Sequence, residues 1–316
     1  MVPVSLPKKW QKTTAGIFLG VAFIVLPLLI AACGSTTTTG NGTPTSNALA
    51  CSTAPNNSAP TPTPYPASSD LTAPTGLITP GTLTVGSDTT YPPQEFIDTN
   101  SGAPTGFDVD LVTAMAQKLG LQAKVVTANF STIIDDLSAK RYDVVISALT
   151  INEDRLKKVD FVPYFQAGES LIVQKGNPQN IQCVPNLCGM KVAVQSGTVE
   201  LDDLNAGSKA CTSAGKPAIQ LTVLKDQTAV IQELANKRVD ATYQDSPVSD
   251  YYLKQNPGQF EIGGTVANAA AEGIAIRKDD AAMLNALRAA FSAIKSDGTY
   301  DNLFNKWQLN AAQKIG

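Results

Sequence analysis

An α/β fold built as two lobes is what the sequence predicts, and two observations carry the prediction. From Gly81 onward, short β-branched runs alternate with helical patterns, "TLTVGS", "FDVDLVTAMAQKLG", "QAKVVT", "STIIDDLSAK" and "YDVVISAL", as a sheet with crossover helices requires. The stretch Ile133 to Ala148, "IIDDLSAKRYDVVISA", then recurs 97 residues later as Val230 to Asp245, "VIQELANKRVDATYQD". Ile134/Ile231, Leu137/Leu234, Lys140/Lys237, Arg141/Arg238 and Asp143/Asp240 keep identical register. A period that long marks a lobe rather than a solenoid repeat, and each copy reads as a helix, a tight turn and a strand.

In chain order, Lys8, Lys9 and Lys12 precede an apolar run from Ile17 to Ala32, broken only by Gly20 and Pro27. Residues 1–32 therefore read as a secretory signal, too short and wrongly flanked for a membrane span. Residues 33–79 are mostly Thr, Pro, Ser, Gly, Asn and Ala, a composition that buries too little surface to offset ordering entropy. They predict a disordered tether with a reach on the order of 40 Å, a glycosylated stalk being the rival reading. The folded part is then about 235 residues, room for one large or two modest domains. Within it, the helix from Asp110 places Leu111, Met115 and Leu119 on one face, fit to cover a sheet. Near the C-terminus Leu284, Leu287, Phe291, Ile294 and Trp307 read as structural packing.

Composition narrows the chemistry. The formal net charge is −3, and removal of residues 1–32, with three lysines and no acids, takes it to −6. Nucleic acid is not expected as a partner. There is no histidine, which removes the commonest general base, the Ser-His-Asp and Cys-His pairs and most catalytic zinc sites. No metal or cofactor is expected. Beyond Cys33, cysteines stand at 51, 183, 188 and 211, an even count that outside the cytoplasm suggests disulfides in one of three connectivities. Cys188 and Cys211 flank one expected strand–helix unit and are favoured as a pair, worth about 3 kcal/mol through chain entropy. Cys51, in the tether, is expected to stay free, and Cys183 is left unassigned.

Ala148 and Asp245 each lie five residues after the turn aspartate of their copy, near the carboxyl end of a strand, where open α/β sheets bind ligands. Two such lobes face to face make a cleft. "ALTINEDR", Ala148 to Arg155, adds a further sign. Asn152 reads as a helix N-cap, yet an arginine follows in the first turn, where the helix dipole disfavours a cation. A local rule broken this way marks a functional position, and the guanidinium implies an anion to meet.

Six segments in the right order, "VGSDTTYPPQEF", "GFDVDL", "ALTINEDRLKKVDF", "VAVQSGT", "DATYQDSPV" and "DGTYDNLFNKW", resemble the extracytoplasmic solute-binding proteins of ABC transporters, specifically the polar amino-acid binders. The resemblance implies a type II periplasmic-binding-protein fold: lobe one from residues 80–166 and 272–316, lobe two from 167–267, and hinge strands near Phe165–Gly168 and Asn268–Glu272, the return crossing being 268–271. It implies a monomer that captures a polar or cationic amino acid, closes, and is read by a permease. Arg155 would grip the α-carboxylate, since a planar fork suits a carboxylate. The turn Gln195, Gly197 and Thr198 would hold the same carboxylate at a helix start. Asp245, with Thr150 and the carbonyl of Ala148, would accept the α-ammonium, and Asp88, Tyr91 and Phe130 would surround the side chain. "IAACGS", Ile30 to Ser35, resembles the lipobox of bacterial lipoproteins, implying that Cys33 is lipidated and the chain anchored outside the cytoplasm by lipid alone.

The chain departs from that pattern at Gln195, where lysine is frequent, at Gln244, where some members have histidine, and at Gln94, in place of an apolar residue. These changes are expected to touch the side-chain pocket, and Asp88 points to a cationic or amide ligand side chain. Two other readings of the fold remain. One is an enzyme resembling periplasmic cyclohexadienyl dehydratases, with Glu169, Glu200 or Glu272 as an acid of raised pKa. The other is a sensor domain acting with a separate membrane protein.

Overall fold

The computed structural model describes Cys51 and residues 71–315. The expected signal, Cys33 and most of the expected tether lie outside these residues. Among the described residues no helix is long and apolar enough to cross a membrane.

The first half of the chain gives β1 (Thr82–Ser87), β2 (Thr90–Tyr91), β3 (Glu95–Ile97), β4 (Pro104–Thr105), α1 (Phe107–Lys118), β5 (Gln122–Thr127), α2 (Ile133–Ser138), β6 (Val144–Val145), α3 (Glu153–Lys158) and the long β7 (Val159–Gln174). The second gives β8 (Lys191–Gln195), α4 (Val199–Ser213), β9 (Gln220–Leu224), α5 (Gln227–Ala235), β10 (Ala241–Asp245), α6 (Ser246–Gln255), the long β11 (Phe260–Arg277), α7 (Ala281–Ser296) and α8 (Thr299–Trp307). Eight strands form one sheet in the order β5-β1-β6-β11-β7-β10-β8-β9. β5, β1 and β6 run parallel on one side, and β10, β8 and β9 run parallel on the other. β7 and β11 pair antiparallel between them and pass from one half to the other.

Each half has its own apolar core. Leu83, Val85, Leu111, Met115, Phe107 and Phe304 pack in the first, and Leu171, Val192, Val194, Leu204 and Tyr243 in the second. Leu111, Met115 and Leu119 of α1 are buried against the sheet, as are Leu287, Phe291 and Ile294 of α7. Trp307 is partly buried and donates its indole N–H to Asp110 at 2.6 Å.

The internal repeat holds at atomic detail. Lys140 and Lys237 both turn into the left-handed region, φ 59° and 58°, and their N–H groups donate to Leu137 and Leu234 at 3.0 and 2.9 Å. Arg141 pairs with Asp136 and Arg238 with Glu233. The turn aspartates fasten the neighbouring strand alike: Asp143 accepts from the Thr84 N–H at 2.8 Å and Asp240 from the Lys191 N–H at 2.9 Å. Each copy therefore uses one carboxylate to lock its strand in register, and this sets where Ala148 and Asp245 fall.

Two expectations change. The tether does not run free to residue 79: Ala73 and Leu77 pack on the first core, and the Ile78 N–H donates to Asp143 at 2.9 Å. A few small apolar groups suffice once a core carboxylate takes the backbone. Cys188 and Cys211 are disulfide-bonded, as favoured, but Cys51 is not free: it is bonded to Cys183. The bond joins residues 132 apart, and local pattern carries no signal at that range.

Candidate functional site

The two halves meet across the carboxyl ends of their strands. From the first come Tyr91, the 3-10 turn Phe130–Thr132, Ala148, Thr150 and Arg155; from the second come the β8–α4 turn and Asp245, at the end of β10. Ala148, three residues past the end of β6, has φ 43°, a strained backbone of the kind found at functional positions. Asn152 caps α3 by accepting from the Arg155 N–H at 2.9 Å. Thr198 caps α4, accepting from the Leu201 N–H at 3.2 Å.

Contacts between the halves are direct. The Tyr91 hydroxyl donates to Asp245 at 2.8 Å, and the Asp245 N–H donates back to that hydroxyl at 3.1 Å. Arg155 donates through one arm to the Thr150 carbonyl at 2.6 Å and through the other to the Gly197 carbonyl of the opposite half at 3.2 Å. Gln195 donates to Asp88, and the Gln227 N–H, at the start of α5, donates to the Thr90 hydroxyl at 3.0 Å. Gly197, at φ 82°, lies so close to Ser131 that a Cβ there would stand 2.7 Å from the serine Cα. Glycine is required both by that φ and by the approach. The structure is thus the shut form, and the cavity left between the walls is about 10 Å³, about the room of one water molecule.

That cavity is lined by Tyr91, Phe130, Ala148, Thr150, Arg155, Thr198 and Asp245, together with Val199 and Glu200. The first seven were expected from the sequence. Gly197 stands beside them through its carbonyl. Asp88 and Gln195 do not line the cavity; they are buried and bonded to one another, Asp88 also taking the Thr90 hydroxyl at 3.0 Å. Gln94 and Gln244, expected near the side-chain pocket, are also elsewhere. Gln94 donates to Glu272, and Gln244 donates to the Ser170 carbonyl and the Ser249 hydroxyl. Both are buried amides whose donors are taken by the interior. Glu200 was named from the sequence only as one of three candidate acids of the enzyme reading, and not as a ligand contact, because an acid in the first turn of a helix reads as a plain partner of the dipole.

The electrostatics are lopsided. Among the described residues, eight buried acids (Asp88, Glu95, Asp108, Asp143, Glu169, Glu200, Asp245, Glu272) face one buried guanidinium, Arg155. Burial pushes Asp245 up to about 6, against the Tyr91 hydrogen bond and Arg155. Burial pushes Asp88 likewise to about 6. Glu200 is raised well above the usual carboxylate range by burial and then by Asp245 and Glu169. Arg155 is lowered by burial, opposed by Glu200 and Asp245, and its guanidinium sits 5.6 Å from the Phe130 ring centroid, within cation–π reach. Asp245 occupies the N-cap position of α6 but makes no capping hydrogen bond; its carboxylate is turned to Tyr91 and the cavity instead.

A larger cavity of about 310 Å³ lies on the second half, lined by Cys51, Cys183, Glu169, Asp203, Tyr243 and Asn268 among others. Among the described residues no basic side chain lines it, and the first half contributes nothing to it. The cleft, where both halves converge and a guanidinium is available, is the candidate site.

A model of the bacterial extracellular solute-binding proteins, family 3, matches residues 83–310. The chain belongs to that family. The L-cystine-binding protein TcyJ of Escherichia coli (strain K12) is 31% identical over 228 residues, 72% of this chain and 82% of that protein. An ancestral arginine-binding protein solved bound to arginine superposes with a TM-score of 0.67 at 39% identity, over 72% of this chain and 98% of that one. An ancestral amino acid-binding protein, a precursor of cyclohexadienyl dehydratase, superposes with a TM-score of 0.62 at 36% identity, over 72% of this chain and 95% of that one. These relatives give the family's two-lobed periplasmic-binding fold, and the sheet described above has that form.

Proposed function

We propose that this solute-binding protein captures an amino acid with a polar or cationic side chain in the cleft and delivers it to the permease of an ABC importer. The observation that carries the reading is a guanidinium, Arg155, and a carboxylate, Asp245, entering one small cavity from opposite halves. A zwitterion complements that pair. Arg155 meets the α-carboxylate, helped by the N–H groups at the start of α4. Asp245, the Thr150 hydroxyl and the Ala148 carbonyl receive the α-ammonium. The names of the relatives, an L-cystine-binding and an arginine-binding protein, support an amino acid as the ligand.

Residues 80–166 and 272–316 act as one lobe and 167–267 as the other, with 268–271 and the facing part of β7 as the hinge. Opening admits the ligand, and contacts to both lobes draw the equilibrium to the shut form. Cys33 carries the lipid, and the chain works as a monomer on the outer face of the membrane. Calorimetry of the mature chain against the twenty amino acids tests this. One or a few should bind at one site per chain, and no binding by any of them would overturn the reading. A second reading, acid catalysis, is favoured by Glu200, a cleft carboxyl held above its ordinary range. Incubation with prephenate or arogenate decides it: a binder returns both unchanged.

A further inference from the structure

We propose that Glu200 is the specificity-determining residue of the cleft, its carboxylate meeting a second positive charge, on the side chain of the amino acid. The proposal rests on the amino-acid reading above and deepens it. Glu200 is the second residue of α4, is 2% exposed, and lines the same cavity as Arg155 and Asp245. Its carboxyl leans on its own backbone N–H, while Oε1 is buried with no hydrogen-bond partner among the described residues.

Glu95 Oε2, Asp108 Oδ1 and Glu272 Oε1 are likewise buried without a partner among the described residues, but none of these three acids lines the cavity, and each has its other oxygen bonded to a neighbouring group. Asp245 takes the Tyr91 hydroxyl, Asp88 takes Gln195 and Thr90, Glu95 takes Ser147, Glu272 takes Gln94, and Glu169 takes Tyr243 and Asn268. No side chain among the described residues donates to Glu200. Arg155 does not serve it, since its two arms go to the carbonyls of Thr150 and Gly197. A buried carboxylate oxygen without a donor is costly unless something else supplies one.

Counting charge identifies what that is. A zwitterion brings one anion, which Arg155 meets, and one cation, which Asp245 meets. Glu200 is then left over, and a neutral side chain leaves it so. A guanidinium or ammonium at the end of the ligand side chain supplies both the charge and the N–H donors. Asp88, which the sequence suggested for this role, is already tied to Gln195, so the selection passes to Glu200.

The test is calorimetry with two isosteric pairs, arginine against citrulline and lysine against norleucine, on the wild-type chain and on Glu200→Gln. The wild type should prefer at least one cation over its neutral isostere. Glu200→Gln should cut that preference by about tenfold or more, through a larger loss for the cation than for its neutral isostere, with the melting temperature of the chain retained. Equal loss for both members of a pair would overturn the proposal and assign Glu200 to the α-ammonium; an unchanged ratio, or a wild type that prefers the neutral members, would overturn it outright. Failure of the amino-acid reading is distinguishable: the wild-type chain would then bind none of the twenty amino acids, whereas a chain that binds one of them but none of these four overturns only the role of Glu200.

Discussion

Gly197→Ala separates the shut form from the fold itself. Two costs fall on the new methyl. The first is backbone: φ is 82°, and a non-glycine residue in that region loses about 1–2 kcal/mol. That cost is the same whether the halves are open or shut, so it reads out as a melting temperature lowered by roughly 2–8 °C. The second is steric and belongs to the shut form alone. The Cβ would stand 2.7 Å from the Ser131 Cα, well inside the carbon–carbon optimum of about 3.5–4.0 Å, and Ser131 lies on the other half. Overpacking of this kind costs about 1–3 kcal/mol, which weakens ligand affinity by about 5- to 150-fold. Gly120→Ala is the control: φ is 68° there, but nothing lies within 4 Å of the added Cβ. It should lower the melting temperature to a similar extent and leave Kd alone. Calorimetry and thermal melting on the three proteins suffice. Wild-type affinity in Gly197→Ala, with the stability loss present, would refute the claim that the binding state shuts as this structure does.

Arg155→Ala should weaken every amino-acid ligand by about 2–5 kcal/mol, because it leaves a buried carboxylate without its partner; retained affinity for any of them would remove Arg155 from the site. Replacing both Cys188 and Cys211 by alanine opens a bond spanning 23 residues and should lower the unfolding free energy by about 3 kcal/mol, read from the urea midpoint; no change would mean the bond does not form in solution. Stability should fall as pH rises from about 5.5 to 8. Burial holds Asp88, Asp108 and Asp245 near 6 and Glu169 near 8, above their values in the unfolded chain. The native state therefore binds more protons in this window and loses that advantage as the pH passes each folded value. A higher urea midpoint at pH 8 than at pH 5.5 would contradict the burial of these groups.

What the sequence made legible is what local chemistry decides. The repeat was readable because the same helix, left-handed lysine and strand-locking aspartate must recur wherever the same lobe is built. Arg155 was readable because a cation in the first turn of α3 conflicts with the dipole, and the structure resolves the conflict with two carbonyl acceptors from opposite halves. What stayed hidden depends on tertiary approach. Asp108 looks in sequence like a polar residue of an amphipathic helix, yet it is fully buried and accepts from the Tyr164 hydroxyl and the Ala148 N–H. Glu200 was legible only as one of three acids, since as an ordinary first-turn acid nothing local sets it apart from Glu169 and Glu272. Gln94 and Gln244 were assigned to the pocket by position, and only their packing reveals that the interior had already claimed them.

The divergence of the two repeat copies at their last residue explains why the cleft has a direction. The locking aspartates Asp143 and Asp240 set the register alike; β6 stops at Val145 while β10 runs on to Asp245, and both copies reach the seam five residues past the aspartate. At that point one copy ends in Ala148, whose strained backbone lines the cavity, and the other in Asp245, whose carboxylate does. A symmetric pair of carboxylates would repel one another in the shut form and leave a zwitterion no preferred way round. With the charge on one wall only, and Arg155 on the other, the proposed site would draw the cationic end of a ligand toward the second half and the anionic end toward the first. Each end engaged in this way would add to the shut form, so a monovalent amine or carboxylate should bind more weakly than an amino acid that engages both.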